Sequence, residues 1–293
     1  MGEGLVLASG PTWKRHRKLL NPAFSLQVLH SFLGVFNIQA RRQVNHFEAE
    51  VGRGKFDHLA SLKHIALETV CIKCKALMDL LLELAEENTL TDKEIREEVD
   101  TAIVASYDTT SCLLAYIMMM LGTYPEAQEK MYQEEEIFEG TDRDVTKDDL
   151  PRMVYTDAVI KETLRLIPTG PVGLRYVDKD VQLENFTMRA GSQCALLIYG
   201  IHYHESWGPD VREFKPERWL DPNNAPNPNM FAGFSIGKRA CMGRTFATLS
   251  MKTTLSHVLR RFKIKADIND LKLKIDFLLK PVSGSLVSLE RRN

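Results

Sequence analysis

The stretch FSIGKRACMG, Phe234 to Gly243, decides how the rest of the chain is read. Cys241 is its centre, with Gly237, Arg239 and Gly243 close on either side. Glycines let a main chain come close to a ligand. A thiolate is a strong, soft ligand for iron, and an arginine fork suits a carboxylate. Together they describe a loop pressed against something flat and anionic. A lone cysteine in such a loop reads first as a small buried structural residue. Here it is not alone, and the neighbours decide between the two.

Phe234, Gly237, Arg239, Cys241 and Gly243 fill every fixed position of Phe-x-x-Gly-x-Arg-x-Cys-x-Gly. The stretch therefore resembles the haem-binding signature of the haem-thiolate monooxygenases, the cytochrome P450 superfamily. Haem carries both an iron and propionate carboxylates. The resemblance implies haem b with Cys241 as the axial iron ligand. It also implies the family's fold, mainly α with a small β-sheet at one side, as one haem domain spanning residues 1–293.

Working outward, four more patterns extend the resemblance. Residues 11–20, PTWKRHRKLL, start a helix with Pro11 in its first turn. Trp13 and Arg17 lie four apart and share a face. The family has Trp-x-x-x-Arg here, which implies that both reach one haem propionate. The basic residues Lys14, Arg15 and Lys18 read either as a solvated face or as part of a surface for an acidic electron donor.

Thr91 and Glu94 form a capping box, opening a periodic stretch that runs to Gly122. A helix of 32 residues spans roughly 48 Å and crosses a domain centre. Its middle holds ASYDTT, residues 105–110. Thr109 could simply bond back to the preceding turn. The family pattern Ala/Gly-Gly-x-Asp/Glu-Thr-Thr implies instead a proton relay through Asp108 and Thr109 and a local kink. Ser106 stands where the family usually has glycine. Ala105 stands where many fatty-acid hydroxylases have a haem-linking glutamate, so haem here is expected to be held by Cys241 and non-covalent contacts.

Glu162 and Arg165, in ETLR, are three apart on a helix spanning 154–166. Alone they read as a surface ion pair of little worth. The resemblance implies a buried network with Arg218 of FKPERW, which holds the cysteine loop in position. Arg175, after the helix-breaking Pro168 and Pro171, is implied as a further propionate ligand, with Pro171 to Leu174 at the pocket wall. Strands are expected over 176–181 and 194–199 and between 263 and 290, and a helix from Gly243 to about Phe262. His202 is read as a packing residue at the surface.

Composition adds bounds. Lysines and arginines number 38 against 39 acids, so charge gives no argument for nucleic acid. The five cysteines are scattered and form no disulfide framework. Cys71 and Cys74 lack the second pair that a zinc site needs. His30, His46, His58 and His64 have no metal-ligand spacing. The longest apolar run, Leu113 to Leu121, is short of the roughly 20 residues of a membrane span.

Near residues 71–76 an ALETVC segment runs almost directly into KALMDLLLELAEE. Relatives place several helices between such segments, so the resemblance implies an internal deletion and a partly open core. It also implies an absent N-terminal membrane anchor. GLVLASGPTWKRHRKLLNPAF and LTDKEIREEVDTA look most like the fatty-acid-hydroxylase branch, which has many insect members. The expected activity is insertion of one oxygen atom of O2 into a lipophilic substrate. No Gly-rich nucleotide loop is present, so electrons come from elsewhere. The implied donor is NADPH-cytochrome P450 reductase, with cytochrome b5 as a second implied partner. The implied location is the cytosolic face of the endoplasmic reticulum membrane. The alternatives are a truncated, inactive haem-binding product and an enzyme driven by peroxide.

Overall fold

The computed structural model describes residues 2–86, 89–138, 140–223 and 226–292, without the side chains of 74–76 and 136. The first half is helical: α1 (Gly10–Leu20), α2 (Leu26–Ser31), α3 (Leu33–Glu48), β1 (Phe56–Asp57), α4 (Leu59–Glu86) and α5 (Asp92–Thr123). Then come α6 (Pro125–Glu134), α7 (Val154–Leu166), β2 (Val172–Tyr176), β3 (Val181–Gln182), β4 (Thr187–Met188), β5 (Gln193–Leu197) and α8 (Ile198–His202). After an irregular stretch of short 3-10 turns follow α9 (Arg244–Arg261), β6 (Phe262–Lys265), β7 (Leu273–Ile275), β8 (Leu279–Pro281) and β9 (Leu286–Arg291).

Helix α5 is the axis of the molecule. It opens on the expected capping box: Glu94 N–H donates to Thr91 Oγ1 at 3.3 Å and Thr91 N–H donates to Glu94 Oε2 at 2.9 Å. From Thr110 to Leu121 every side chain is buried. This apolar half packs on Val159, Ile160 and Leu164 of α7, on Met251, Leu255, Val258 and Leu259 of α9, and on Phe47 of α3. Each such side chain contributes about 1.5–3 kcal/mol by leaving water. Contrary to the sequence reading, α5 is long and apolar enough to cross a membrane, but 67% of its most apolar window is buried inside the protein. Core packing accounts for that apolarity.

The segment expected to carry a seam lies inside α4, which runs unbroken through residues 71–76 and lies along α5. Helix α7 has no capping side chain of its own. Glu134 of α6 supplies one from a distance, accepting from Tyr155 N–H at 2.5 Å and Thr156 N–H at 2.9 Å. Strands β1, β9 and β6 form an antiparallel sheet in that order, and β2 pairs antiparallel with β5, Arg175 facing Cys194. The strands sit earlier than expected: the first ends at Tyr176 rather than starting there, and Tyr199 belongs to α8.

Candidate haem-binding site

The cysteine loop hangs between α7 and the start of α9. Gly233 lies flush on α7, where a side chain would meet Leu164 at 2.7 Å. Ala232 accepts from Ser235 N–H at 2.8 Å, and Phe234 accepts from Cys241 N–H at 2.8 Å, closing the loop. Gly237 has a φ of +71°, the left-handed region that glycine enters without strain, and it starts the turn over Gly237–Arg239. At Gly243 the backbone needs no glycine: an added Cβ would make ordinary 3.8 Å contact with Cys241 Sγ.

Cys241 is accessible yet has protein packed around most sides, as at the floor of a recess. That packing pushes the thiol up. The N–H groups of Gly243 and Arg244 and the charges of Arg17 and Arg244 act the other way and favour the thiolate. Gly243 and Arg244 begin α9, so the unpaired N–H groups of a helix start face the sulfur.

Cationic side chains gather around this recess. Arg17 Nη1 donates to Ala240 O at 3.0 Å, and the Arg239 guanidinium lies 4.1 Å from the centroid of the Trp13 ring. Arg175 Nη2 reaches Ser235 Oγ at 3.4 Å. Burial, and then the charge of Arg175, make Arg239 less basic than usual. Among the described residues none of Arg17, Arg175 and Arg239 pairs with a carboxylate. Half-buried cations beside one another, with no anion among the described residues to pair them, fit an anionic ligand. No three His, Cys, Asp or Glu converge among the described residues, so a bare metal ion has no cage here. An iron carried inside a macrocycle needs one protein ligand, and an accessible cysteine suits it. The residues present therefore fit haem.

The network under the loop is centred on Glu162 and Arg165, both fully buried, with Arg218 nearly so. Glu162 accepts from Arg165 Nε (2.9 Å) and Nη2 (2.8 Å), from Arg218 Nε (2.9 Å), from Trp219 Nε1 (2.9 Å) and from Lys215 N–H (3.1 Å). Arg165 also donates to the carbonyls of His202, Val211 and Glu213. His202 corrects the sequence reading: it is 0% exposed, not a surface residue. A lone histidine beside a tyrosine carries no signal of this in sequence, because its partners lie 30 and 37 residues away.

On α5 the Thr109 hydroxyl donates back to Ala105 O at 2.7 Å, and the α-helix continues through the site. Asp108 is held between Lys63 of α4 (2.8 Å) and Lys280 of β8 (3.0 Å). Burial opposes its ionisation, but the two lysines outweigh that and hold its carboxyl below the usual range. Neither lysine was singled out by sequence. No described hydrogen bond or ion pair joins Asp108 or Thr109 to the cysteine loop.

A family model described as Cytochrome P450 matches residues 1–74 and 72–287. Cytochrome P450 4V2 of Pongo abelii is 35% identical over 392 aligned residues, covering all of this chain and 74% of that protein. Cytochrome P450 4V2 of Mus musculus is 28% identical over 391, again with all of this chain and 74% of that protein. Cytochrome P450 4c21 of Blattella germanica is 28% identical over 390, with 78% of that protein covered. The mouse alignment, at 391 residues, is 98 longer than the 293-residue chain. A crystal structure of a cytochrome P450 (CYP102L1) superposes with a TM-score of 0.85 at 21% identity, covering 99% of this chain and 82% of that one, which establishes the shared fold.

Proposed function

The chain belongs to the cytochrome P450 family, and on that premise we propose that it is a haem-dependent monooxygenase with Cys241 as the iron ligand. The observation that carries this is the cysteine loop: an accessible Cys241 at a helix start, ringed by Arg17, Arg175 and Arg239, none of which has an acid partner among the described residues. When bound, thiolate-ligated haem supplies the cleavage of O2 and the transfer of one oxygen atom to a C–H bond.

The chain's own residues do the rest in this reading. The N–H groups of Gly243 and Arg244 and the charge of Arg17 favour the Cys241 thiolate against the burial that pushes the thiol up, and binding to iron would complete its deprotonation. Arg175, Arg239 and Trp13 orient the ligand's carboxylates. Phe234 packs against the main core and backs the loop. Asp108, turning from Lys63 or Lys280, passes protons from solvent towards the Thr109 hydroxyl. Glu162, Arg165 and Arg218 keep the loop in place.

The substrate class in this reading is lipophilic and fatty-acid-like, and the electrons come from NADPH through a separate reductase, with cytochrome b5 as an accessory donor. The parent protein sits at the endoplasmic reticulum membrane. The proposal also includes a gap near residues 71–76. Two facts support it: the family match breaks into pieces meeting at 72–74, and the alignments are longer than the chain.

A second reading, an inactive haem-binding product, is favoured by one observation. Leu174, Leu197 and Phe277 are 69%, 60% and 75% exposed, apolar surface that a pocket roof would cover. Incubation of the haem-loaded chain with a medium-chain fatty acid, NADPH and reductase separates the two. Hydroxylated product that requires NADPH supports the monooxygenase. Product with peroxide alone points to peroxide-driven chemistry, and no product under either condition to the inactive form.

A further inference from the structure

His202 ends α8, far in sequence from Cys241, yet it sits between the buried glutamate–arginine network and the cysteine loop. Its Nδ1 lies 3.0 Å from the Arg165 carbonyl, and its Nε2 lies 2.9 Å from the Ala232 N–H. A carbonyl only accepts and an amide N–H only donates, so the ring carries its proton on Nδ1 and accepts on Nε2. Burial, reinforced by the Arg165 charge, lowers its ionisation to about 4, consistent with that neutral form. The ring stacks on Phe231 at 5.5 Å and 13°, and its own backbone carbonyl accepts from Arg165 Nη1 at 3.1 Å. Histidine and arginine thus bond to each other's main chain while the imidazole reaches over to the loop.

The geometry points to His202 as a positioning residue for the haem-ligand loop: one strut from the carbonyl of Arg165 to the N–H of Ala232, fixing where the turn before Phe234 begins. Ala232 accepts from Ser235 N–H, and Phe234 accepts from Cys241 N–H, so anchoring Ala232 anchors the hairpin that ends at the thiol. Without the strut a buried amide loses its partner, and the loop's first fixed point is lost. The inference deepens the proposed function, because it rests on Cys241 as the ligand.

The test uses main-chain hydrogen exchange of the haem-free chain together with haem uptake. In His202→Gln the amide oxygen reaches the Nε2 position and accepts from Ala232. In His202→Asn the shorter side chain reaches only the Nδ1 position. His202→Phe keeps the stack and deletes both bonds. Exchange across 231–241 is expected to rise about tenfold in the Asn and Phe variants, to stay near wild type in the Gln variant, and to leave α5 unchanged. The same order is expected for the fraction of haem bound through thiolate, read from the reduced carbon monoxide band. Three results overturn the inference: loop protection intact in the Asn variant, equal loss in Gln and Asn, or exchange rising uniformly over the whole chain. Wild-type protein that takes up no haem, with the Gln and Asn exchange contrast intact, overturns the Cys241 reading and leaves the strut standing.

Discussion

Arg17 reaches across from α1 and donates to the carbonyl of Ala240 at 3.0 Å, the residue before Cys241. The N-terminal part of the chain is thereby bonded to the loop that carries the thiol, 223 residues later. The contact supplies both a tether and a positive charge that favours the thiolate.

Arg17→Ala is expected to weaken haem retention by about 1.5–3 kcal/mol, the worth of a hydrogen bond from a charged donor. Rates of haem transfer to a stronger acceptor protein measure it. Arg17→Lys keeps the charge but not the reach of the fork, and an intermediate rate is expected.

Arg218→Ala leaves Glu162 buried with one cation fewer while Arg165 remains. Losing one partner of such a group costs about 3–5 kcal/mol. Urea unfolding of the haem-free chain is expected to shift its midpoint with an unchanged slope. A shift as small as that of a surface pair would remove the structural role assigned to the network.

The resemblance singled out Cys241, Trp13, Arg17, Arg175, Asp108, Thr109, Glu162, Arg165 and Arg218 because each sits in a short, spaced pattern; the structure gathers Trp13, Arg17 and Arg175 around the cysteine loop and joins Glu162, Arg165 and Arg218 in one network. The capping box at Thr91 was legible for the same reason: it is local. What stayed hidden was long-range. His202 bonds to Ala232, Asp108 to Lys63 and Lys280, and Glu134 to the start of α7, and none of these pairings leaves a spacing in the sequence. The apolarity of α5 was read by its longest unbroken run, which missed that the helix as a whole passes for a membrane span.

Glu135 gives a pH prediction. Burial pushes its carboxyl up to about 7, while the Ser256 hydroxyl at 2.5 Å and the Arg260 charge pull it down. Unfolded, it titrates near ~4.3. The folded state therefore binds the proton more tightly, and this contribution to stability is full below ~4.3 and falls as pH rises towards about 7. Glu135→Gln is expected to be more stable than wild type above pH ~7, with a flatter stability curve between pH ~4 and ~7. Urea unfolding across that range measures it, and an unchanged slope would contradict it.

Asp108→Asn keeps the size of the side chain and removes the proton carrier. Turnover is expected to fall by roughly 10²-fold, the low end for general acid–base catalysis, with a larger solvent isotope effect and an unchanged carbon monoxide band. Turnover unaffected by the change would remove Asp108 from the proton path.

The most direct test of the account is the Soret band of the chain expressed with haem, reduced and exposed to carbon monoxide, beside Cys241→Ser. A strongly red-shifted band is expected in the wild type and its loss in the variant. No haem uptake, or an unshifted band that the substitution leaves alone, would contradict ligation by Cys241.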